Sequence, residues 1–127
     1  MLLICYDVEF PDISLELAKE EIDVILVPSM TESNSGSMRV RWTAQGRAIE
    51  HTSFVVVSPT IGKVTKNWEH FGKAAFLSPQ LPGMTGLLSE GVSTKPGIWV
   101  QRLDLKKLRN LKNSSPWRPS KQIRIPI

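Results

Sequence analysis

Two apolar runs separated by a helical pattern, close to the start of the chain, most constrain what this sequence can fold into. The first run, residues 2–4, ends at Cys5, and the second fills residues 23–28 with β-branched and aliphatic side chains. Such a continuous run is typical of a strand covered on both faces. Between the runs, residues 12–22 carry apolar side chains at helical spacing, and Asp12 suits the helix start. This stretch therefore predicts a strand, a helix and a strand.

A helix of that length is a natural crossover between parallel strands, so both strands would end at the same edge of a sheet. Cys5 and residues 28–30 would meet there. Open α/β sheets bind their ligands at this edge, and a strand that ends on a thiol before a turn is one way to present a nucleophile. Buried structural cysteines are common too. Cys5 is nevertheless the leading candidate for a catalytic residue.

The next part of the chain repeats the pattern. Residues 31–37 read as a polar loop, and Ser37 can cap a helix over residues 38–50. Gly46 inside this helix indicates close packing, because glycine there costs about 1 kcal/mol relative to alanine. The buried stripe of the helix would include Val40, Ala44 and Ala48. Residues 52–58 then predict a third strand that ends at a proline.

The sequence pattern that predicts helices and strands becomes weaker towards the C-terminal end. Residues 74–77 and 98–103 predict shorter strands, separated by a stretch that contains Gly and Pro, so the sheet should turn mixed. A final helix opened by Asp104 would bury Leu105, Leu108 and Leu111. We expect an extended tail after it.

Positive charge is concentrated at the same end. Residues 102–127 hold eight Lys or Arg and one acid, a net of +7, which leaves −3 for residues 1–101 out of the total of +4. Trp117 alone stands among these cations, whereas proteins that bind single-stranded nucleic acid interleave several aromatic residues. We therefore expect a solvated basic face and no nucleic-acid partner.

The composition excludes several other classes of protein. The 127 residues, 41% of them apolar, fit one domain. No apolar run approaches the roughly 20 residues that a membrane helix requires, and residues 1–4 lack the basic leader of a secretory signal. We expect a cytoplasmic chain without membrane contact. One cysteine and two histidines show no zinc-site spacing, so we expect no metal and no cofactor.

Several segments resemble the nitrilase superfamily of carbon–nitrogen hydrolases. They are LICYDVEFP at residues 3–11, ILVPS at 25–29 and RAIE at 47–50, in the order and spacing of that family. The tail, residues 103–109 followed by Pro116 and Arg118, is similar to the family's C-terminal strand and helix. The resemblance implies part of an α-β-β-α sandwich. It also implies that residues 1–127 form the C-terminal portion of the domain, without its N-terminal portion.

The resemblance further implies a reaction. Cys5 would attack a non-peptide amide, nitrile or carbamoyl C–N bond and form a thioester or thioimidate that water cleaves. The backbone N–H of Tyr6 would bind the oxyanion, and Ser29, Met30 and Thr31 would line the substrate pocket. The family's catalytic glutamate and lysine lie upstream of the cysteine motif, so no residue of this chain is matched to either. A free thiol is mostly protonated at neutral pH, and the isolated chain should therefore be a poor catalyst.

Glu9 occupies a position where many small-acid amidases of the family carry arginine. An acid there would repel a substrate carboxylate, so we expect a preference for neutral or cationic amides. On the second helix, Trp42 is interpreted as a packing aromatic, and Arg47 as the ion-pair partner of a neighbouring acid. Glu50 is interpreted as structural.

Two hypotheses remain open for the chain as a whole. It is either the nucleophile-bearing part of a hydrolase, or a non-catalytic remnant or interaction module that keeps the family's packing and dimerisation surfaces. In both cases we expect a homo-oligomer, through the helices that begin near Asp12 and Met38, or pairing with a chain that supplies the missing half. Apolar surface should be exposed around Val55 and Val57. A glutamine amidotransferase is disfavoured, because Ile4 and Tyr6 stand where its elbow needs glycines.

Overall fold

A mixed four-stranded sheet organises the computed structural model, which describes residues 1–92 and 95–122. The strands are β1 (Val24–Ser29), β2 (Phe54–Pro59), β3 (Gly62–Thr65), β4 (Trp68–His70), β5 (Ala75–Leu81) and β6 (Met84–Glu90). The α-helices are α1 (Pro11–Leu17), α2 (Asn34–His51) and α3 (Leu105–Ser114), and 3₁₀ helices cover Cys5–Glu9 and Pro119–Lys121. The sheet order is β1-β2-β5-β6, and β3 and β4 form a separate hairpin.

The predicted change from parallel to mixed pairing is confirmed. β1 and β2 are parallel, with Val24 opposite Phe54, whereas β2–β5 and β5–β6 are antiparallel. The turn between β5 and β6 contains Gly83 at φ +86°, a conformation that glycine adopts without the steric cost of a side chain. The pairing of β1 and β2 brings the C-terminal ends of two strands to one edge of the sheet.

The N-terminal run lies where the sequence predicts but is not a full strand. Leu2 forms an isolated parallel bridge with Leu26, and Leu3 N donates to Leu26 O at 2.9 Å. The run stops pairing because the 3₁₀ helix begins at Cys5. The predicted parallel placement beside β1 is therefore confirmed, and the predicted strand is wrong.

The first helix is shorter than predicted. α1 ends at Leu17 rather than at residue 22, and its N-cap is Phe10, so Asp12 lies in the first turn instead of capping the helix. Pro11 occupies the first helical position, where its fixed φ and missing N–H are tolerated. The prediction of a helix–strand unit holds, but both helix boundaries were wrong.

The second helix begins four residues earlier than predicted, at Asn34 rather than at residue 38. Its N-cap is Ser33, whose Oγ accepts from Gly36 N at 3.0 Å. Ser37 is inside the helix and its hydroxyl donates to Asn34 O, so the predicted cap is wrong. Gly46 has no heavy atom within 4 Å of an added Cβ, so close packing does not explain it, and nothing else in the structure does.

Replacing Ser33 by alanine is expected to lower the free energy of unfolding by about 1 kcal/mol, because the Gly36 N–H loses its acceptor. Urea denaturation followed by circular dichroism measures the change. Ser37→Ala is the matched control and should cost less, since Ser37 bonds only to a carbonyl of its own helix. A larger loss in Ser37→Ala than in Ser33→Ala would contradict the cap assignment.

One face of the sheet is covered by α2. The predicted stripe is confirmed, with Val40 2%, Ala44 0% and Ala48 0% exposed. It joins a buried cluster that also contains Ile25, Val27, Val55, Val57, Ala75 and Leu77. Val55 and Val57 themselves point into this cluster, and the exposed apolar surface expected around them lies on the opposite face of the sheet.

The opposite face is only partly covered. α3 packs over one end, where Leu108 contacts a cluster with Phe54 and Met84, and Asp104 caps the helix as predicted. Beyond α3 lies the open sheet face, formed by Leu26, Val56 and Phe76. Leu26 is 46% exposed, so the prediction that β1 is covered on both faces is wrong.

Part of the basic tail is held by acids. Lys112, whose side chain is 5% exposed, donates to Asp23 at 3.1 Å, and Arg109 contacts the same carboxylate at 2.7 Å. Arg118 pairs with Glu21 at 2.8 Å. We call these five residues the tail clamp. The predicted solvated basic face is therefore wrong for Lys112 and Arg118, whereas the Arg109 side chain is 63% exposed, and Arg124 lies outside the described residues.

The strand predicted over residues 98–103 is also wrong. Ile98 is 94% and Val100 90% exposed, and no strand of the described residues pairs with this segment. The predicted Gly- and Pro-containing stretch instead contains β6. No α-helix within residues 1–92 or 95–122 is long and apolar enough to cross a membrane.

Candidate active site

Cys5 lies at a sharp turn immediately after the N-terminal run. It opens the 3₁₀ helix Cys5–Glu9 with φ 51°, in the left-handed region that residues other than glycine rarely adopt. Such strain costs on the order of 1–3 kcal/mol and clusters at functional turns. The thiol is half-buried. The backbone thus presents a cysteine side chain at the edge of the sheet.

The turn is fixed from two sides. Asp7 Oδ2 accepts from Ile4 N at 3.0 Å, and Asp7 N donates to Ile4 O at 3.0 Å, which closes the turn locally. From the second helix, Arg47 Nε donates to Val8 O at 3.1 Å. Val8 itself is fully buried. The strained conformation of Cys5 is therefore held by local bonds and by α2.

The thiol lies against the loop that follows β1, as the parallel arrangement predicts. Cys5 Sγ donates to Met30 O across 3.5 Å. Met30 is 48% exposed, and Tyr6, the next residue after the thiol, is 57% exposed and packs edge-on against Phe10. The structure therefore brings together Cys5, Tyr6 and Met30 at a half-open surface.

The other two predicted pocket residues have different partners. Thr31 Oγ1 donates to Phe71 O at 2.8 Å, and Phe71 N donates back to Thr31 O at 2.9 Å. Ser29 is 8% exposed, its carbonyl accepts from Thr60 N, and its side chain lines a cleft beside α2. These bonds fix the loop that carries Met30.

Glu9 does not present a free negative charge. Its carboxylate accepts from Arg39 Nε at 3.0 Å, and its side chain is only 16% exposed. The ion pair partly offsets the negative charge on which the expected preference for neutral or cationic amides depends, and that preference stays a prediction. On the same helix Trp42 is 65% exposed, so the packing-aromatic interpretation is wrong, whereas Arg47 pairs with Glu50 at 2.8 Å as predicted.

A serine, an acid and a histidine meet behind the turn, which the sequence analysis missed. Ser14 Oγ donates to Glu50 Oε2 at 2.7 Å and lies 2.8 Å from His51 Nε2. Burial lowers the pKa of His51, although Glu50 opposes this shift. Burial alone would raise the pKa of Glu50, but hydrogen bonds from Ser14 and Arg47 hold it below its usual range. With Ser14 1% and His51 5% exposed, the cluster joins α1 to α2 and has no access for a substrate.

A cleft of about 540 Å³ lies between α2, the ends of β1 and β2, and the β3–β4 hairpin. Cys5 does not line it. His70, 2% exposed, borders it. Sequence reasoning missed the cleft because residues 62–70 show no strand pattern, and so the hairpin that closes it was not predicted. Among the described residues, no group of three or more His, Cys, Asp or Glu is placed to hold a metal ion.

Comparison with known proteins decides the family. A family model described as carbon-nitrogen hydrolase matches residues 1–113. The chain belongs to the carbon–nitrogen hydrolase family. Human deaminated glutathione amidase is 30% identical over 115 residues, which cover 91% of this chain and 34% of that protein.

Solved structures share the fold. Saccharomyces cerevisiae Nit3, a member of branch 10 of the nitrilase superfamily, aligns with a TM-score of 0.72 at 18% identity, covering 91% of this chain and 41% of Nit3. A mutant of the amidase from Nesterenkonia sp. AN1, which shows covalent addition of an acetamide moiety at its active site cysteine, aligns with a TM-score of 0.61 at 25% identity, covering 76% of this chain and 34% of the amidase. The resemblance to the nitrilase superfamily and the mixed α/β fold are confirmed. This carbon–nitrogen hydrolase chain spans about a third of the length of the human relative.

Proposed function

We propose that residues 1–127 carry the nucleophile of an amidase that hydrolyses a small non-peptide amide, with Cys5 as the attacking residue. The observation that carries the proposal is the left-handed turn at Cys5, which places a half-buried thiol beside the ends of parallel strands. Family membership supports a C–N bond as the target. The active site cysteine named for the Nesterenkonia amidase supports the thiol as nucleophile.

The reaction proceeds by acyl transfer to sulfur. The Cys5 thiolate forms a bond to the carbonyl carbon, and the C=O π electrons move to oxygen, where the Tyr6 backbone N–H stabilises the oxyanion. The C=O bond then re-forms as the C–N bond breaks, and the amine leaves with the proton that was removed from the thiol. Water attacks the resulting thioester, releasing the carboxylic acid and regenerating the thiol. A nitrile would instead add the thiol across its C≡N bond to form a thioimidate, which one water converts to the thioester with release of ammonia before a second water releases the acid. Met30, beside the thiol, would contact the acyl group, and Ser29 and Thr31 would support that loop.

Deprotonation of the thiol needs a base, and among the described residues none is hydrogen-bonded to Cys5 Sγ. The hydrogen-bond acceptor of the Cys5 thiol is the neutral carbonyl oxygen of Met30. We infer that the family's glutamate base and lysine come from polypeptide outside residues 1–127, and that this chain is the C-terminal portion of the domain. The open sheet face, with Leu26 46% exposed, is the surface that the remainder of the domain would cover.

The proposal is tested by ammonia release and by mass spectrometry of Cys5. Residues 1–127 alone, and the same residues joined to the polypeptide that completes the domain, are incubated with a panel of simple aliphatic amides. We expect ammonia and an acyl adduct on Cys5 from the completed domain, and only slow release from residues 1–127 alone. Turnover by residues 1–127 alone at the rate of the completed domain would refute the inferred requirement for outside residues.

Cys5→Ser in the completed domain should abolish both signals, because a serine hydroxyl is far less acidic than a thiol and is therefore a far weaker nucleophile than a thiolate. Ser35→Ala, on the exposed first turn of α2, is the control and should keep both. Full turnover by Cys5→Ser would refute the nucleophile. A completed domain that releases no ammonia from any amide would instead favour a non-catalytic interaction module.

A further inference from the structure

The cleft beside α2 contains a buried histidine with unused hydrogen-bonding groups. His70 is 2% exposed, and in the described part of the chain neither Nδ1 nor Nε2 has a partner. A buried imidazole is normally paired, because an unmet donor or acceptor there is costly. The Trp68 ring packs against the His70 imidazole at an interplanar angle of 57°, with the two ring centroids 5.2 Å apart, and forms no hydrogen bond with it. His70 therefore borders the cleft with two ring nitrogens that lack a hydrogen-bond partner among the described residues.

A cation borders the same cleft from the helix side. Arg41 Nη1 is buried and, within the ranges that the structure describes, has no hydrogen-bond partner. Burial lowers the pKa of Arg41, and the nearby charge of Glu90 opposes this shift. Glu90 is itself paired with Lys73 at 3.3 Å, and Glu69 at the rim is exposed. The buried polar groups without partners in the cleft are thus donors from Arg41 and a ring nitrogen pair from His70.

The remaining walls of the cleft are largely apolar. Met38 and Trp42 line it from α2, Val57 from β2, and Ile61 and Phe71 from the segments flanking the hairpin. A concave, mostly apolar space with a few convergent polar groups is the usual form of a small-molecule site. Its volume of about 540 Å³ lies within the range typical of ligand pockets.

We propose that this cleft binds a small monocarboxylic acid with an aromatic or branched apolar body. The carboxylate would accept from Arg41 and from a His70 ring N–H, and the apolar body would pack against Met38, Trp42 and Phe71. Guanidinium–carboxylate bonds are among the stronger hydrogen bonds in proteins. Since Cys5 does not line the cleft, the inference is independent of the reaction proposed for that residue.

Phenylacetate is the probe, with 2-phenylethanol as its neutral match and acetate as the anion without an apolar body. Each is titrated into ¹⁵N-labelled protein while the indole N–H resonance of Trp42, at the cleft, is followed. The Trp117 indole, which does not line the cleft, is the internal reference. We expect saturable shifts of the Trp42 indole and an unmoved Trp117 indole, with phenylacetate binding about tenfold more tightly than either control.

Arg41→Gln should weaken phenylacetate binding about tenfold and leave 2-phenylethanol unaffected, because only the charged donor is lost. If Arg41→Gln fails to fold, His70→Asn tests the same contact from the other wall. Lys106→Gln removes an exposed cation of α3 outside the cleft and should change nothing.

Three results would overturn the proposal. They are the absence of a saturable Trp42 shift, equal affinity for phenylacetate and 2-phenylethanol, and unchanged phenylacetate affinity in the folded Arg41 and His70 variants. Loss of amide hydrolysis in Cys5→Ser with intact phenylacetate binding would separate this site from the proposed reaction.

Discussion

Replacing Asp23 by alanine is expected to lower the free energy of unfolding by about 3–5 kcal/mol, because it leaves a buried ammonium without a counter-ion. Lys112, with a side chain 5% exposed, donates to the Asp23 carboxylate and to the carbonyl of Ile22. Arg109 contacts the same carboxylate. Urea denaturation followed by tryptophan fluorescence measures the loss.

Glu21→Ala is the matched control within the tail clamp. Its side chain is 61% exposed and pairs with Arg118 and Lys121 near the surface, so its loss should cost less than about 1 kcal/mol. The two acids lie two residues apart and both anchor the C-terminal segment. Equal losses in the two variants would show that burial of Lys112 does not decide the energetics of the clamp.

Asp23 should also make stability depend on pH. Burial alone would raise its pKa, but hydrogen bonds from Arg109 and Lys112 hold the pKa of this carboxyl below its usual value. A folded-state pKa that is depressed contributes stability above the unfolded pKa of about 4, and this contribution is lost as pH falls through the folded value. The difference in unfolding free energy between the original chain and Asp23→Ala should therefore shrink when pH is lowered below about 4.

The parts of the fold that follow from local pattern were predictable. The stripe Val40, Ala44 and Ala48 has helical spacing, and each of these residues is buried. The parallel pairing of β1 and β2 follows from the length of the connection between them. The β3–β4 hairpin was missed because residues 62–69 are nearly all exposed and so carry no alternation of apolar side chains.

In the candidate site, too, the features that follow from local sequence were predictable and the others were not. Cys5 and its contact with Met30 were predictable, since a local motif marks the cysteine and the rules of parallel sheets place both at one edge. The N-cap residue of α2 was not predictable, because Ser33 and Ser37 have the same side chain. Only the backbone conformation determines which of the two serines caps the helix. The tail clamp joins residues 86 to 97 positions apart, and no local pattern predicts such contacts.

Arg47→Ala is expected to lower the free energy of unfolding by about 2 kcal/mol and to loosen the turn at Cys5. The Arg47 side chain is 13% exposed and donates hydrogen bonds to Val8 O and to the Glu50 carboxylate. In the variant, Glu50 would still accept a hydrogen bond from Ser14. Its removal leaves the carboxylate without a cation and the strained turn without its tie to α2. Hydrogen exchange of the amides in Cys5–Glu9 should accelerate, whereas exchange in α3 should not.

Arg39→Ala provides the control on the same helix. Arg39 also contacts the 3₁₀ helix, through Glu9 at 3.0 Å, but its side chain is 62% exposed, so its loss should cost about 0.5 kcal/mol or less. The Arg39→Ala substitution leaves intact the hydrogen bond from Arg47 to the Val8 carbonyl in the turn. If both variants accelerated exchange at Cys5–Glu9 equally, charge near the turn rather than the bond to the Val8 carbonyl would hold it. If neither did, the local Asp7 bonds would suffice to keep Cys5 in its left-handed conformation.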